Sequence, residues 1–200
     1  MIAEILLSIS LFPSANTHQI QQEAYSNIHK LTQLQPIDIA ITPEKDVISY
    51  FKRGNSYMKS GEYSKAVADF TKVININPQF SDAYSNRGLV YLALQQPELA
   101  LTDLTKGITV RPEYAVSYLK RGMAYMQLQQ PKNAIADFTA AIEVDPQFVD
   151  AYLFRGTTYQ KIGKNKQARK SLEQAASLYK ERGQIKKYQM VRQLLLKLEN

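Results

Sequence analysis

Four arginines stand 34 residues apart, at Arg53, Arg87, Arg121 and Arg155, and three aspartates, Asp69, Asp103 and Asp137, keep the same period. Guanidinium and carboxylate at a fixed offset form bidentate ion pairs, so the chemistry open to them is charge pairing. Two registers are possible. If each arginine took the aspartate of its own unit, Arg155 would face Ser171 and lack a carboxylate. If each took the aspartate of the preceding unit, Arg87 would meet Asp69, Arg121 would meet Asp103 and Arg155 would meet Asp137. The second register accounts for the serine, because no fifth arginine follows, and a structural ladder across units is therefore expected.

Other reactive groups are sparse. His18 and His29 lie outside the periodic part and lack metal-ligand spacing. There is no Gly-x-Ser-x-Gly, no phosphate-cradling glycine loop and no His-Glu-x-x-His. Cysteine is absent, which excludes disulfides, thiolate metal sites and a cysteine nucleophile. No catalytic residue, metal or cofactor is expected, and the chain reads as a non-enzyme.

The elements that carry these residues are repeats. Tyr-x-x-Arg-Gly-x-x-Tyr is written four times, at Tyr50 to Tyr57, Tyr84 to Tyr91, Tyr118 to Tyr125 and Tyr152 to Tyr159. Such a period marks a stacked array, because one unit cannot bury its apolar face alone. Counting from Val47, Ser81, Ala115 and Val149, position eight is Gly54, Gly88, Gly122 and Gly156, and position twenty is Ala66, Ala100, Ala134 and Ala168. Position twenty-four is Phe70, Leu104, Phe138 and Leu172, and position thirty-two is Pro78, Pro112 and Pro146, failing only at Lys180. Glycine in mid-helix costs about 1 kcal/mol against alanine, so four in register imply packing too close for a Cβ. Each unit reads as helix, turn, helix, with Gly and Ala where the two backbones approach and proline ending the second helix.

This pattern of Tyr, Gly, Tyr, Ala, Phe/Leu and Pro resembles the tetratricopeptide repeat over Val47 to Arg182. The chain departs from it at Arg53, Arg87, Arg121 and Arg155, where an apolar residue is usual, and at Gly107, where Ala is usual. The resemblance implies an all-α, right-handed superhelical solenoid of antiparallel helix pairs that binds protein or peptide partners. The expected segments are 47–80, 81–114, 115–148 and 149–182 for the repeats, preceded by 1–15 and 16–46 and followed by a capping helix at 183–200.

The resemblance also places a ligand on the concave face of the first helices, at positions two, five, nine, twelve and thirteen. The expected peptide-binding residues there are Ile48, Phe51, Asn55 and Met58 in the first repeat, then Leu89 and Leu92, then Val116, Leu119, Met123 and Met126. Asp82, Ser85, Ala93, Asp150, Leu153, Thr157, Gln160, Lys59, Gln127 and Lys161 complete those positions. The stripe is apolar, and its methionines adapt to varied side chains. Some members clamp a partner's C-terminal carboxylate with lysines, asparagines and an arginine. Asn55 and Asn86 match that set and Lys120 keeps the charge of the arginine, but Phe51 and Val116 stand where lysines are needed. A dicarboxylate clamp is therefore not expected, while Asn55, Asn86 and Lys120 remain available to a peptide.

The net charge of +7 is unevenly placed: residues 149–200 carry twelve basic and four acidic side chains. An alternative reading is an anion-binding factor, for nucleic acid or a membrane surface, acting through Lys161, Lys164, Lys166, Arg169, Lys170, Lys180, Arg182, Lys186, Lys187, Arg192 and Lys197. The structural reading of the same charge is a solvated outer face. The Arg-Gly pairs are fixed in helices and are not RNA-binding tracts.

Ahead of the repeats, Ile5 to Phe12 followed by Pro13-Ser14-Ala15 has the look of an export signal that lacks its basic leader. Export or membrane association is the leaning, with an apolar segment packed on the solenoid end as the alternative. Asn16 to Leu34 reads as an amphipathic helix that could fill the concave groove, Pro36 to Ile41 as an extended linker, and Thr42-Pro43-Glu44 as the start of the first repeat helix. After Gly183, the residues Ile185, Tyr188, Val191, Leu194, Leu195 and Leu198 mark the last amphipathic helix, which caps the final repeat.

Overall fold

The computed structural model describes residues 43–198. The apolar run Ile5 to Phe12, the Asn16 to Leu34 segment with His18 and His29, and the Pro36 to Ile41 linker lie outside the described residues. From Glu44 onward the chain is one compact unit. The described residues form nine helices and no strand: α1 Pro43–Lys59, α2 Tyr63–Ile76, α3 Ser81–Ala93, α4 Pro97–Val110, α5 Ala115–Gln127, α6 Pro131–Val144, α7 Val149–Lys161, α8 Asn165–Glu181 and α9 Ile185–Leu196. The architecture is an all-α solenoid. From α3 onward each helix packs on the next, and α3 also touches α5. Side-chain bonds also join the first helices of neighbouring repeats, Asn86 to Asn55 between α3 and α1 and Thr158 to Met126 between α7 and α5.

Local chemistry sets the helix ends. Pro97 and Pro131 open α4 and α6, where the missing N–H costs nothing. Pro78, Pro112 and Pro146 follow the ends of α2, α4 and α6. Each turn inside a repeat closes with the same backbone bond, from Glu62 N to Tyr57 O at 2.9 Å, Gln96 N to Tyr91 O at 2.9 Å, Gln130 N to Tyr125 O at 2.8 Å and Lys164 N to Tyr159 O at 2.9 Å. That closure needs one left-handed residue. Gly61 and Gly163 supply it in repeats one and four, but Gln95 at φ 59° and Gln129 at φ 55° supply it in repeats two and three.

Position eight shows why glycine stands in mid-helix. A Cβ on Gly88 would lie 2.7 Å from Leu104 Cγ, and one on Gly156 2.8 Å from Leu172 Cγ. The position-twenty-four side chain is the first obstacle. The alanine contributes through its backbone, with the Ala100 and Ala168 carbonyls at 3.4 and 3.3 Å from those same points. Phe70, Leu104, Phe138 and Leu172 are fully buried, as are the four alanines of position twenty. At the C-terminal end α9 buries Val191 and Leu195 against α8, with Tyr188, Leu194 and Leu198 alongside. Ile185, expected on that face, is 53% exposed instead, because it opens the helix just after the left-handed Gly183.

The arginine ladder runs in the other register. Arg53 Nε and Nη2 donate to Asp69 Oδ2 and Oδ1 at 2.6 and 2.7 Å, Arg87 to Asp103 at 2.7 and 2.8 Å, and Arg121 to Asp137 at 2.8 and 2.8 Å. Pairing is within each repeat, so the expected contacts of Arg87 with Asp69, Arg121 with Asp103 and Arg155 with Asp137 are corrected. The cross-repeat link exists, but its acceptor is a threonine. Arg87 Nη1 donates to Thr71 Oγ1 at 2.8 Å, Arg121 Nη1 to Thr105 Oγ1 at 3.3 Å and Arg155 Nη1 to Thr139 Oγ1 at 3.3 Å. Arg155 is left with Ser171, whose Oγ accepts from Nε at 3.1 Å.

Candidate functional site

The first helices expose a cavity of about 630 Å³ across α3, α5 and α7. Leu89, Leu92 and Ala93 come from α3, Met123, Met126 and Gln127 from α5, and Phe154, Thr157, Thr158 and Lys161 from α7. The walls stand in register because each repeat delivers its residues from the same helix turns. Local bonds hold the lining in place: Thr158 Oγ1 donates to the Phe154 carbonyl at 2.7 Å and touches Met126 Sδ at 3.5 Å, and Gln127 Nε2 donates to the Leu92 carbonyl at 3.3 Å. The lining is chiefly thioether, aliphatic and aromatic surface. Lys161 is its one charged member. Such a cavity can take large apolar side chains and has no group set for covalent chemistry.

The residues expected at the concave face divide by placement. Leu89, Leu92, Met123 and Met126 converge on the cavity. Phe51 packs its ring against Phe70 and Phe80, with centroids 5.9 and 4.8 Å away, and Met58 packs beside Phe70. Leu119 is buried in the core of repeat three, Val116 is half-buried away from the cavity, and Ile48 is 47% exposed on α1. Sequence reasoning missed Phe154, Thr158 and Gln95 in the lining. A signal for Gln95 was present, since Leu-Gln-Gln-Pro replaces the glycine turn at 94–97 and again at 128–131.

Asn55, Asn86 and Lys120 form a rail across repeats one to three. Lys120 Nζ donates to Asn86 Oδ1 at 3.0 Å, and Asn86 Nδ2 donates to Asn55 Oδ1 at 2.8 Å. Lys120 is only 9% exposed, and burial pushes its ammonium down to about 8, with the charge of Asp82 acting the other way. Deeper still, Ser85 and Ser117 share a buried hydrogen bond of 2.7 Å between α3 and α5. The acids of the concave positions are engaged: Asp82 lies 3.9 Å from Arg111, and Asp150 accepts from the Tyr179 hydroxyl at 2.9 Å. Lys59 and Lys161 are exposed, so the charge this face offers a ligand is positive.

Among the described residues no His, Cys, Asp or Glu group could hold a metal ion, and no helix is long and apolar enough to cross a membrane.

Comparison with known proteins places this geometry. Family models described as TPR repeat and tetratricopeptide repeat match residues 54–95, 81–114, 115–148 and 149–182. No curated protein sequence matches the chain. Among solved structures, MamA is 20% identical with a TM-score of 0.65 over 87% of this chain and 99% of that one, a likeness of fold. The second TPR domain of human RPAP3, in complex with the HSP70 peptide SGPTIEEVD, is 27% identical with a TM-score of 0.56 over 58% of this chain and 98% of that one. YrrB, described as a TPR protein with an unusual peptide-binding site, is 26% identical with a TM-score of 0.58 over 66% and 68%. The models run through all four repeats and the solved structures share the solenoid, so the chain belongs to the tetratricopeptide repeat family.

Proposed function

We propose that this protein is a non-catalytic interaction scaffold that holds a peptide or an amphipathic helix in the concave groove, with the cavity across α3, α5 and α7 as its anchor point. The observation that carries this reading is the cavity itself, about 630 Å³ of mainly apolar space on a face that lacks reactive groups. Peptide binding by the RPAP3 domain and by YrrB supports the same use of the fold. Each large apolar side chain buried there contributes about 1.5–3 kcal/mol, so two anchors give a useful affinity. Phe51, Leu119 and Met58 support the groove from beneath. Asn55, Asn86 and Lys120 form its polar edge, where spare N–H groups can meet a peptide backbone.

The test is a selection of phage-displayed peptides on the protein, followed by binding of the selected peptides to a Leu89→Asp, Met123→Asp double variant. Loss of binding with unchanged helical circular dichroism is expected. Equal binding by the double variant would place the site elsewhere.

A second reading rests on the exposed Lys186, Lys187 and Arg192 of α9 and Lys197 just beyond it, which could meet a polyanion. Salt separates the two. A polyphosphate contact weakens steeply as ionic strength rises, whereas apolar anchoring does not.

A further inference from the structure

The repeats contain an internal control for one arginine. In repeats one to three the edge formed by Nε and Nη2 is filled by a carboxylate, with both bonds between 2.6 and 2.8 Å. In repeat four the same edge meets only the Ser171 hydroxyl, through Nε at 3.1 Å. Arg155 Nη2, which by analogy should reach an aspartate oxygen, donates to no described residue. Ser171 is 2% exposed and accepts that one bond, while its own hydroxyl proton has no acceptor among the described residues. Two donors therefore converge where the scaffold holds a carboxylate three times over.

Charge points the same way. Arginine keeps its proton at any ordinary pH, so replacing aspartate by serine removes the counter-charge without removing the charge. No described carboxylate forms an ion pair with Arg155, and residues 149–200 as a whole carry twelve basic side chains against four acidic ones. Arg155 is half-buried, with Tyr152 beneath the guanidinium at 5.5 Å and Thr139 holding Nη1, so its fork is already oriented. An oriented, desolvated fork binds a planar oxyanion with little further ordering.

We propose that Arg155 and Ser171 form a carboxylate-binding notch, in which Nη2 and the serine hydroxyl donate to a carboxylate supplied from outside the chain. The ligand class follows from the other repeats, where the same guanidinium edge holds a carboxylate through two bonds. The notch stands apart from the groove. Position seven lies about 170° around the helix from the concave positions, so a ligand here leaves the cavity free.

The experiment follows the arginine Nε–Hε signals of 15N-labelled protein during titration with sodium acetate, against sodium chloride at the same ionic strength. A saturable shift of the Arg155 signal is expected, with the Arg87 and Arg121 signals unmoved because their edges are occupied. Arg155→Lys identifies the signal by removing it. Ser171→Asp, which gives repeat four the residue found in the other three, is expected to abolish the acetate response while keeping the arginine. A parallel titration with N-acetylaspartate amide separates the sources: a matching response marks a site for a partner's acidic side chain, and a response to acetate alone marks a small-ion site. An equal shift in chloride, an equal response of Arg121, or an unchanged response in Ser171→Asp would each overturn the proposal.

Discussion

Replacing Gly88 and, in a separate variant, Gly107 with alanine distinguishes two reasons for glycine inside a helix. Both residues lie in helices, α3 and α4, so both substitutions gain about 1 kcal/mol of helix propensity. The steric terms differ. At Gly107 the new Cβ would sit 3.1 Å from Ser85 Oγ, 3.4 Å from the Ser81 carbonyl and 3.5 Å from Tyr84 Cβ. The buried Ser85 hydroxyl, bonded to Ser117 Oγ at 2.7 Å, must then give by only a few tenths of an ångström, less than Leu104 must at Gly88. At Gly88 it would sit 2.7 Å from Leu104 Cγ and 3.1 Å from Cδ2, and Leu104 is fully buried with no room to retreat. Overpacking of that kind costs about 1–3 kcal/mol, which meets or exceeds the propensity gain. Gly107→Ala should therefore be as stable as the parent or slightly more so, and Gly88→Ala less stable by up to about 2 kcal/mol. For a chain of this length each kcal/mol moves the midpoint by about 2–4 °C, readable by circular dichroism at 222 nm. The Gly88→Ala, Leu104→Ala double variant closes a cycle, because truncating the leucine removes the obstacle and the two losses should not add. If Gly88→Ala is as stable as Gly107→Ala, the close approach of α3 and α4 is not what requires the glycine.

Lys120 gives a pH dependence of known sign. Its folded pKa lies below its unfolded value, so its charged form costs stability at pH 7, and that cost is relieved as pH rises from about 8 toward 10.5. Urea denaturation should show the parent gaining on Lys120→Met across that window, and a constant difference would contradict the burial. Asp103→Asn should cost about 1.5–3 kcal/mol by leaving the half-buried Arg87 without its carboxylate, whereas Ser171→Ala, which loses one 3.1 Å bond, should cost less than about 1 kcal/mol. Gln95→Gly and Gln129→Gly relieve left-handed backbone and should each raise stability by up to about 1 kcal/mol in thermal melts, the gain being offset in part by a freer unfolded chain.

The solenoid was legible because its determinants repeat: Gly88 against Leu104 and the left-handed turns are local matters that recur every 34 residues. The register of the arginine ladder was not. In a periodic array, pairing position seven with position twenty-three of the same unit or of the previous one leaves the sequence identical, and only the approach of α3 to α4 decides. Ser171 tips the choice to the wrong register, because the lack of a fifth arginine would account for it as well as an unpaired Arg155 does. Thr71, Thr105 and Thr139 share position twenty-five, with Glu173 in the fourth unit, and this was the visible trace of the true cross-repeat bond. Of the expected peptide-binding residues, Leu89, Leu92, Met123 and Met126 line the cavity and the others do not. Phe51 and Leu119 have the same period as Leu89 and Met123, and their neighbours, Phe80 for one and Ala151 for the other, draw them into the core.

The uniform joint between repeats makes the length of the array separable from its specificity. Excising residues 115–148 would set repeat four directly behind repeat two, where Arg155 would find Thr105 in the place of Thr139, while the buried Ser85 would meet Ala151 in the place of Ser117. The shortened chain would keep a sound backbone and lose Met123 and Met126, and with them the middle wall of the cavity. Loss of a whole unit thus changes the cavity lining outright while costing the fold one joint whose backbone period is kept, so the lining can change in steps of 34 residues.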